Sequence, residues 1–257
     1  MNRIITILCT LLLIQFLVVN KIHSEEKEVR DCFEKLNRVT FALNMGLDRV
    51  IFKPVSKGYR KLPSPIRTGT GNVLNNLSNL ITIPNNILQG DFGSAANNSA
   101  RFVINTTLGV VGIFDPANSF GFEKRAKEDF GQSLGVMGVG EGCYLVLPVL
   151  GPTTIRDTVG SLIAMNGGDV WHNITVRDDE EYVKEFKESD YWVSRVTSGV
   201  DFRAKNLEAF DAMEKNSVDL YATVRSLYLQ DRKKKINNSN NKTEAMDDGD
   251  WDSLENQ

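Results

Sequence analysis

Apolar positions recur at helical spacing along most of this chain, and strand-like alternation of any length is absent. Between Asp31 and Phe52, Phe33, Leu36, Val39, Leu43, Leu47 and Val50 share one face, with Asp31 placed to cap the helix and Pro54 to end it. Pro65 opens a second helix, and the Asn-, Thr- and Gly-rich segment from Ile66 to Leu80 predicts a weak helix at the surface. Pro84 begins a short helix that stops in the Gly90-Asp91 turn, and Ser94 to Thr107 predicts another. Leu108 to Phe114 is an apolar loop closed by Asp115-Pro116, and Phe120 to Asp129 is charged and predicted exposed. A helix from Val159 to Met165 stops at Gly167-Gly168. The strongest helical pattern covers Val200 to Lys235, with Leu207, Phe210, Met213, Val218, Tyr221, Val224 and Leu227 on one broad face. Residues 236–257, rich in Asn and Asp, predict a disordered tail.

The stretch from Phe130 to Asp157 breaks the helical pattern. Six glycines and two prolines surround the apolar run Tyr144 to Val149, which ends on the adjacent pair Arg156-Asp157. Gly138, Gly140 and Gly142 leave the backbone free to turn left-handed or to lie close against a neighbour. Pro148 and Pro152 forbid a regular helix there, and the run is too short to span a bilayer, so the segment is expected to turn back within an apolar setting. The whole reads as a mainly α chain of short, Gly/Pro-interrupted helices with a long C-terminal helix.

The N-terminus adds an address. Arg3 precedes an apolar core from Ile4 to Val19, and charge returns sharply at Glu25, which describes a cleavable signal over residues 1–24, a single domain over 25–235 and the tail beyond. Loss of that segment removes Arg3 and Lys21 from a chain whose net charge is already -3, and a mildly acidic exported protein is a poor nucleic-acid binder. Cys9 leaves with the signal. Cys32 and Cys143 remain, as one disulfide or as two buried thiols.

Catalytic signatures are missing. The chain has no G-x-S-x-G elbow, no phosphate-binding P-loop and no Cys/His pattern with metal spacing, and His172 is the one histidine beyond the signal. A secreted hydrolase is therefore disfavoured, no metal or cofactor is expected, and a soluble periplasmic helical protein is the alternative to a membrane-bound one. Arg156-Asp157 needs partners or water in its apolar surroundings, which leaves a buried ion pair and a polar passage both open.

Taken in order, Phe33-Glu34-Lys35-Leu36-Asn37-Arg38, Leu88-Gln89-Gly90-Asp91, the segment Arg101 to Asp115 with Asn105, Gly109 and Gly112, and the segment Phe130 to Asp157 with Pro148 and Gly151 resemble the MlaA (VacJ) family. Val200 to Ala204 fits the same pattern near the last helix. The resemblance implies a helical ring in the inner leaflet of a Gram-negative outer membrane, beside a trimeric porin. It also implies a non-enzymatic task. Stray outer-leaflet phospholipid passes through an amphipathic channel to a periplasmic, MlaC-like carrier. On this resemblance Arg156 and Asp157 begin a helix along the channel, with Asp169 and His172 as further lining candidates. Family members commonly carry a lipidated cysteine directly after the signal. None stands at Ser24-Glu25, so a non-lipidated mature protein is expected. Cys32 and Cys143 both stand where the family usually has proline, and this joint departure implies a Cys32–Cys143 disulfide.

Overall fold

The computed structural model describes residues 29–176 and 186–238; the expected signal and nearly all of the expected tail lie outside them. Helix α1 (Glu34–Leu47) runs through a wider, π-type turn (Asp48–Phe52) directly into α2 (Lys53–Arg60). Pro54 therefore does not end the first helix but sits in the first turn of α2. A proline there cannot donate to the Val50 carbonyl and crowds it; the widened turn relieves that clash. Nor does Asp31 cap α1, whose cap position is Phe33. Asp31 instead accepts hydrogen bonds from Asn37 Nδ2 at 2.7 Å and from the Tyr221 hydroxyl.

Helix α3 (Ser64–Leu88) opens with Pro65 as its spacing predicts, then continues through Pro84, where the sequence suggests a break. Thr82, Asn85 and Asn86 are buried on either side of that proline, so tertiary anchoring outweighs the one backbone bond it removes. Helix α4 (Phe92–Thr107) is capped by Asp91, whose carboxylate accepts from Ser94 N at 3.0 Å. A short α5 (Pro116–Ser119) and an extended segment lead to α6 (Phe130–Val136), capped by Asp129 through Gln132 N at 2.9 Å.

The apolar run does turn back, but as a hairpin. Strands β1 (Tyr144–Leu147) and β2 (Gly151–Thr154) pair antiparallel, with Tyr144 opposite Thr154 and Leu147 opposite Gly151. Four residues are too few for a readable alternation, which is why the pattern hid them. The free edge of β1 is covered by two asparagines one heptad apart on α1. Asn37 donates to Tyr144 O at 3.0 Å and accepts from Val146 N at 2.9 Å; Asn44 donates to Leu147 O at 2.9 Å and accepts from Val149 N at 2.8 Å. These side chains take the place of a third strand and close an edge that would otherwise invite pairing.

Helix α7 (Ile155–Ile163) follows at once, capped by Thr154, and ends in a π-type turn (Ala164–Gly168) where Gly167 adopts φ 121°. Helices α8 (Val170–Val176), α9 (Glu188–Lys205), α10 (Leu207–Asn216) and α11 (Leu220–Asn238) complete the described chain. The single helix predicted from Val200 to Lys235 is thus divided among three. Ser217 is extended, and Asp219 caps α11 through Ala222 N at 3.1 Å while receiving the Arg38 guanidinium at 2.8 and 3.2 Å. Val218 is wholly exposed in that break. Helix α11 runs past Lys235 into the segment expected to be tail.

Cys32 and Cys143 are bonded, with Cα atoms 5.6 Å apart across a sequence separation of 111. Closing so long a loop in the unfolded chain contributes about 4–5 kcal/mol. The bond fastens the start of α1 to β1 beside a small aromatic core. There Tyr144 and Tyr221 meet edge to face at 6.1 Å, and Phe41 meets Tyr221 at 5.5 Å. Helices α6 and α7 cross with their backbones almost touching. A Cβ on Gly160 would lie 2.7 Å from Gly131 Cα.

Candidate functional site

Polarity in this fold is reversed. Among the described residues, buried polar and charged side chains outnumber buried apolar ones, while Leu36, Val39, Val50, Phe92, Leu150 and many other large apolar residues stand exposed. Ordinary soluble domains do not bury amides and expose this much hydrocarbon.

The reversal is clearest on α3. Asn72, Asn75, Asn76 and Asn79 follow the i, i+3, i+4, i+7 spacing, so they form one stripe, which Thr82 and Asn86 extend. Facing it on α4, Asn98, Arg101 and Asn105 occupy one face. Between them lies a cavity of about 370 Å³, closed on its far side by the segment from Glu123 to Lys127. Gly112, at φ 90°, brings the apolar loop against this wall, where any Cβ would fall 2.7 Å from that of Asn76. Asn72 donates to Ile113 O at 3.1 Å and Asn76 to Thr106 Oγ1 at 2.8 Å. Arg101 holds Asp115 through both carboxylate oxygens at 2.8 and 2.9 Å, and Asn105 adds a bond at 2.8 Å. Burial alone would raise the Asp115 carboxyl; the bonds from Arg101 and Asn105 outweigh it and hold the group below its ordinary value.

A second polar cluster lies where α6, α7 and α11 meet. Arg232 reaches Asp129 at 2.6 and 3.0 Å and Asp157 at 2.8 Å; Tyr228 also donates to Asp157. Arg156 donates to Asp157 at 3.1 Å and forms a longer ion pair with Glu141 at 3.6 Å, and its side chain is 2% exposed. Burial raises Asp129, but Arg232 prevails and lowers the carboxyl to about 2. Next to it, Glu128 is pushed up to about 7, chiefly by burial, with Gln89 donating at 3.0 Å. Asp129 stabilises the fold above the unfolded carboxyl value of about 4, and this is lost as pH falls toward 2. Glu128 has the opposite sign: its contribution is complete below about pH 4.3 and is lost as pH rises through 7. Glu128→Gln is accordingly expected to be more stable than the parent at pH 8, on the order of 2 kcal/mol, and equal to it near pH 4. Urea unfolding of both proteins across that range checks this; parallel profiles would refute it.

The four sequence candidates for a passage fall into two groups. Arg156 and Asp157 belong to the cluster just described and do not line the cavity. Asp169 is 2% exposed; it caps α8 through Trp171 N at 2.9 Å and pairs with Arg195. His172 packs edge-on against Tyr191 at 4.9 Å, with Nδ1 buried and unbonded. Of the family-pattern residues, Asn37 and Arg38 tie α1 to the hairpin and to α11, while Asn105 lies in the cavity wall. Gly138, Gly142 and Gly151 take positive φ at turns, as Gly109 and Gly112 pack tightly; Gly140 needs neither, and Pro148 leads into the hairpin turn. The asparagine stripe was missed. Its signal, four amides at helical spacing, is legible in the sequence but resembles a solvated helix face.

No described helix is long and apolar enough to cross a membrane, and no acidic, His or Cys group among the described residues forms a metal cluster. Residues 29–235 match the family described as MlaA lipoprotein. The chain is 32% identical over 205 residues to the intermembrane phospholipid transport system lipoprotein MlaA of Escherichia coli, covering 78% of this chain and 76% of that one. The Haemophilus influenzae protein of the same name is 30% identical over 220 residues, with 82% and 80% covered. An uncharacterized protein of Rickettsia prowazekii is 34% identical over 200 residues, 77% and 75%. A solved structure described as the structural basis for maintenance of bacterial outer membrane lipid asymmetry matches with TM-score 0.65 and 30% identity, covering 80% of this chain and 98% of that one. A match that runs from before α1 into α11 leaves one conclusion: the chain belongs to the MlaA lipoprotein family.

Proposed function

We propose that phospholipid head groups pass through the cavity between α3 and α4 while their acyl chains stay against the apolar exterior. As a member of its family, the chain serves intermembrane phospholipid transport that maintains outer-membrane lipid asymmetry, at the periplasmic face of that membrane, without catalysis. The observation that carries the reading is the reversed polarity: a polar interior within a hydrocarbon-compatible shell suits a molecule with a charged head and two apolar tails. Short helices that do not span can lie within one leaflet when their backbone bonds are satisfied internally.

In this reading Arg156, Asp157, Asp169 and His172 fasten the helices around the path without lining the cavity between α3 and α4. A trimeric porin supports the exposed apolar face, and a periplasmic carrier receives the lipid. Deleting the gene should raise outer-leaflet phospholipid, and the intact gene should restore it. Unchanged surface phospholipid in the deletion strain would overturn the transport role.

A further inference from the structure

The cavity is polar but nearly free of net charge along α3, and several of its amide groups make no bond within the chain. Among the described residues, the half-buried side chains of Asn75 and Asn79 and the exposed one of Asn118 have no hydrogen-bond partner within the chain, and Asn76 Oδ1 is buried without one in a residue 4% exposed. Other buried asparagines are satisfied, as where Asn98 bonds Asn86 at 2.9 Å and Asn37 uses both ends of its amide, although Asn173 Oδ1 is a second orphan. A buried amide oxygen without a partner carries a standing cost, so Asn76, flanked along the cavity by the unpaired amides of Asn75 and Asn79, marks a place where a ligand supplies the missing bond. The charges present are arranged off this stripe. Arg101 and Asp115 neutralise each other, with Lys124 at 3.9 Å from the same carboxylate, and Arg125, exposed at the cavity edge, has no partner among the described residues.

We infer that Asn75, Asn76 and Asn79 form a charge-neutral track that conducts phosphodiester head groups of either net charge. This rests on the transport reading above and adds its selectivity rule. An amide donates to phosphate oxygens and accepts from an ethanolamine ammonium or a glycerol hydroxyl, so one residue type serves both halves of the head group. Lysines in the same places would hold the phosphate too long for release, and carboxylates would repel it. Conduction needs sites that bind well enough to enter and weakly enough to leave. Arg125 and Lys124 supply the attraction at the edge, and the stripe then carries the group without trapping it.

The test uses the full-length protein restored to a deletion strain as wild type, Asn79→Asp, Asn79→Lys and Asn79→Gln, with outer-leaflet lipid classes followed over time by mass spectrometry. Asn79→Asp should slow clearance of phosphatidylglycerol, which is anionic, about tenfold, and that of zwitterionic phosphatidylethanolamine much less. Asn79→Lys should slow both classes, and Asn79→Gln, which keeps the amide, should clear both as the wild type does. Equal slowing of the two classes by Asn79→Asp, or no slowing of either, overturns the neutral track while leaving transport standing. Failure of the wild type to clear either class overturns transport itself. Outer-membrane abundance and formation of the Cys32–Cys143 bond report folding. If Asn79→Asp fails these, Asn75→Asp, one turn earlier on the same stripe, gives the same comparison.

Discussion

Arg232→Ala is expected to lower unfolding stability by about 3–5 kcal/mol, the largest effect of any single substitution considered. Its guanidinium is the shared partner of Asp129 and Asp157, on two other helices, and its side chain is 9% exposed. Removing it leaves the buried Asp157 carboxylate with Arg156 and Tyr228, and the half-exposed Asp129 with Gln132, to answer them. Both carboxyls now lie below their ordinary values, held there by Arg232 against burial, so both would shift upward without it. Arg232→Lys would recover part of the loss, because a point charge cannot serve two carboxylates with a fork. Urea unfolding of the purified protein in detergent measures the change. A loss under about 1 kcal/mol would show that the cluster is not a fastening point for α11.

Gly160→Ala is expected to cost about 3 kcal/mol, and Gly140→Ala almost nothing. At Gly160 a methyl group would meet backbone on α6, 2.7 Å from Gly131 Cα and 2.8 Å from the Phe130 carbonyl carbon. Backbone cannot rotate aside as a side chain would, so α6 and α7 must separate. That motion pulls on Asp129 and Asp157, which face each other across the same crossing through Arg232. At Gly140 no heavy atom lies within 4 Å of the added carbon, and the backbone is not left-handed. Thermal unfolding of the two variants separates these cases, and comparable shifts would contradict the close-approach account.

The contrast between these glycines shows what the sequence made legible. Gly140 stood out because it alternates with Gly138 and Gly142, yet it needs no special geometry; Gly160, inside an ordinary helical pattern, carries the packing. Local signals served well where one residue decides the outcome, as Pro65 does at the start of α3 and Pro148 does ahead of the hairpin turn. They failed where tertiary contacts overrule them, as at Pro54 and Pro84. The asparagine stripe escaped notice for a different reason. Helix faces are sorted in the sequence by taking apolar residues to point inward, and in this fold the face of α3 bearing Asn76, Thr82 and Asn86 is a buried one. Glu128 was placed on the surface by the same assumption, yet it is 8% exposed. The pairing of Cys32 with Cys143 was accessible only through the family resemblance, because spacing alone leaves two free thiols equally acceptable.

That bond also sets an order of events in the life of the molecule. Thiols stay reduced in the cytoplasm, so the chain leaves its site of synthesis without the covalent tie between the start of α1 and the hairpin. Such a chain is easier to thread through an export channel than a cross-linked one. The covalent closure between residues 32 and 143 then coincides with arrival in the oxidising space where the protein works. Maturation is thereby timed by location, and a copy retained in the cytoplasm never receives its last fastening.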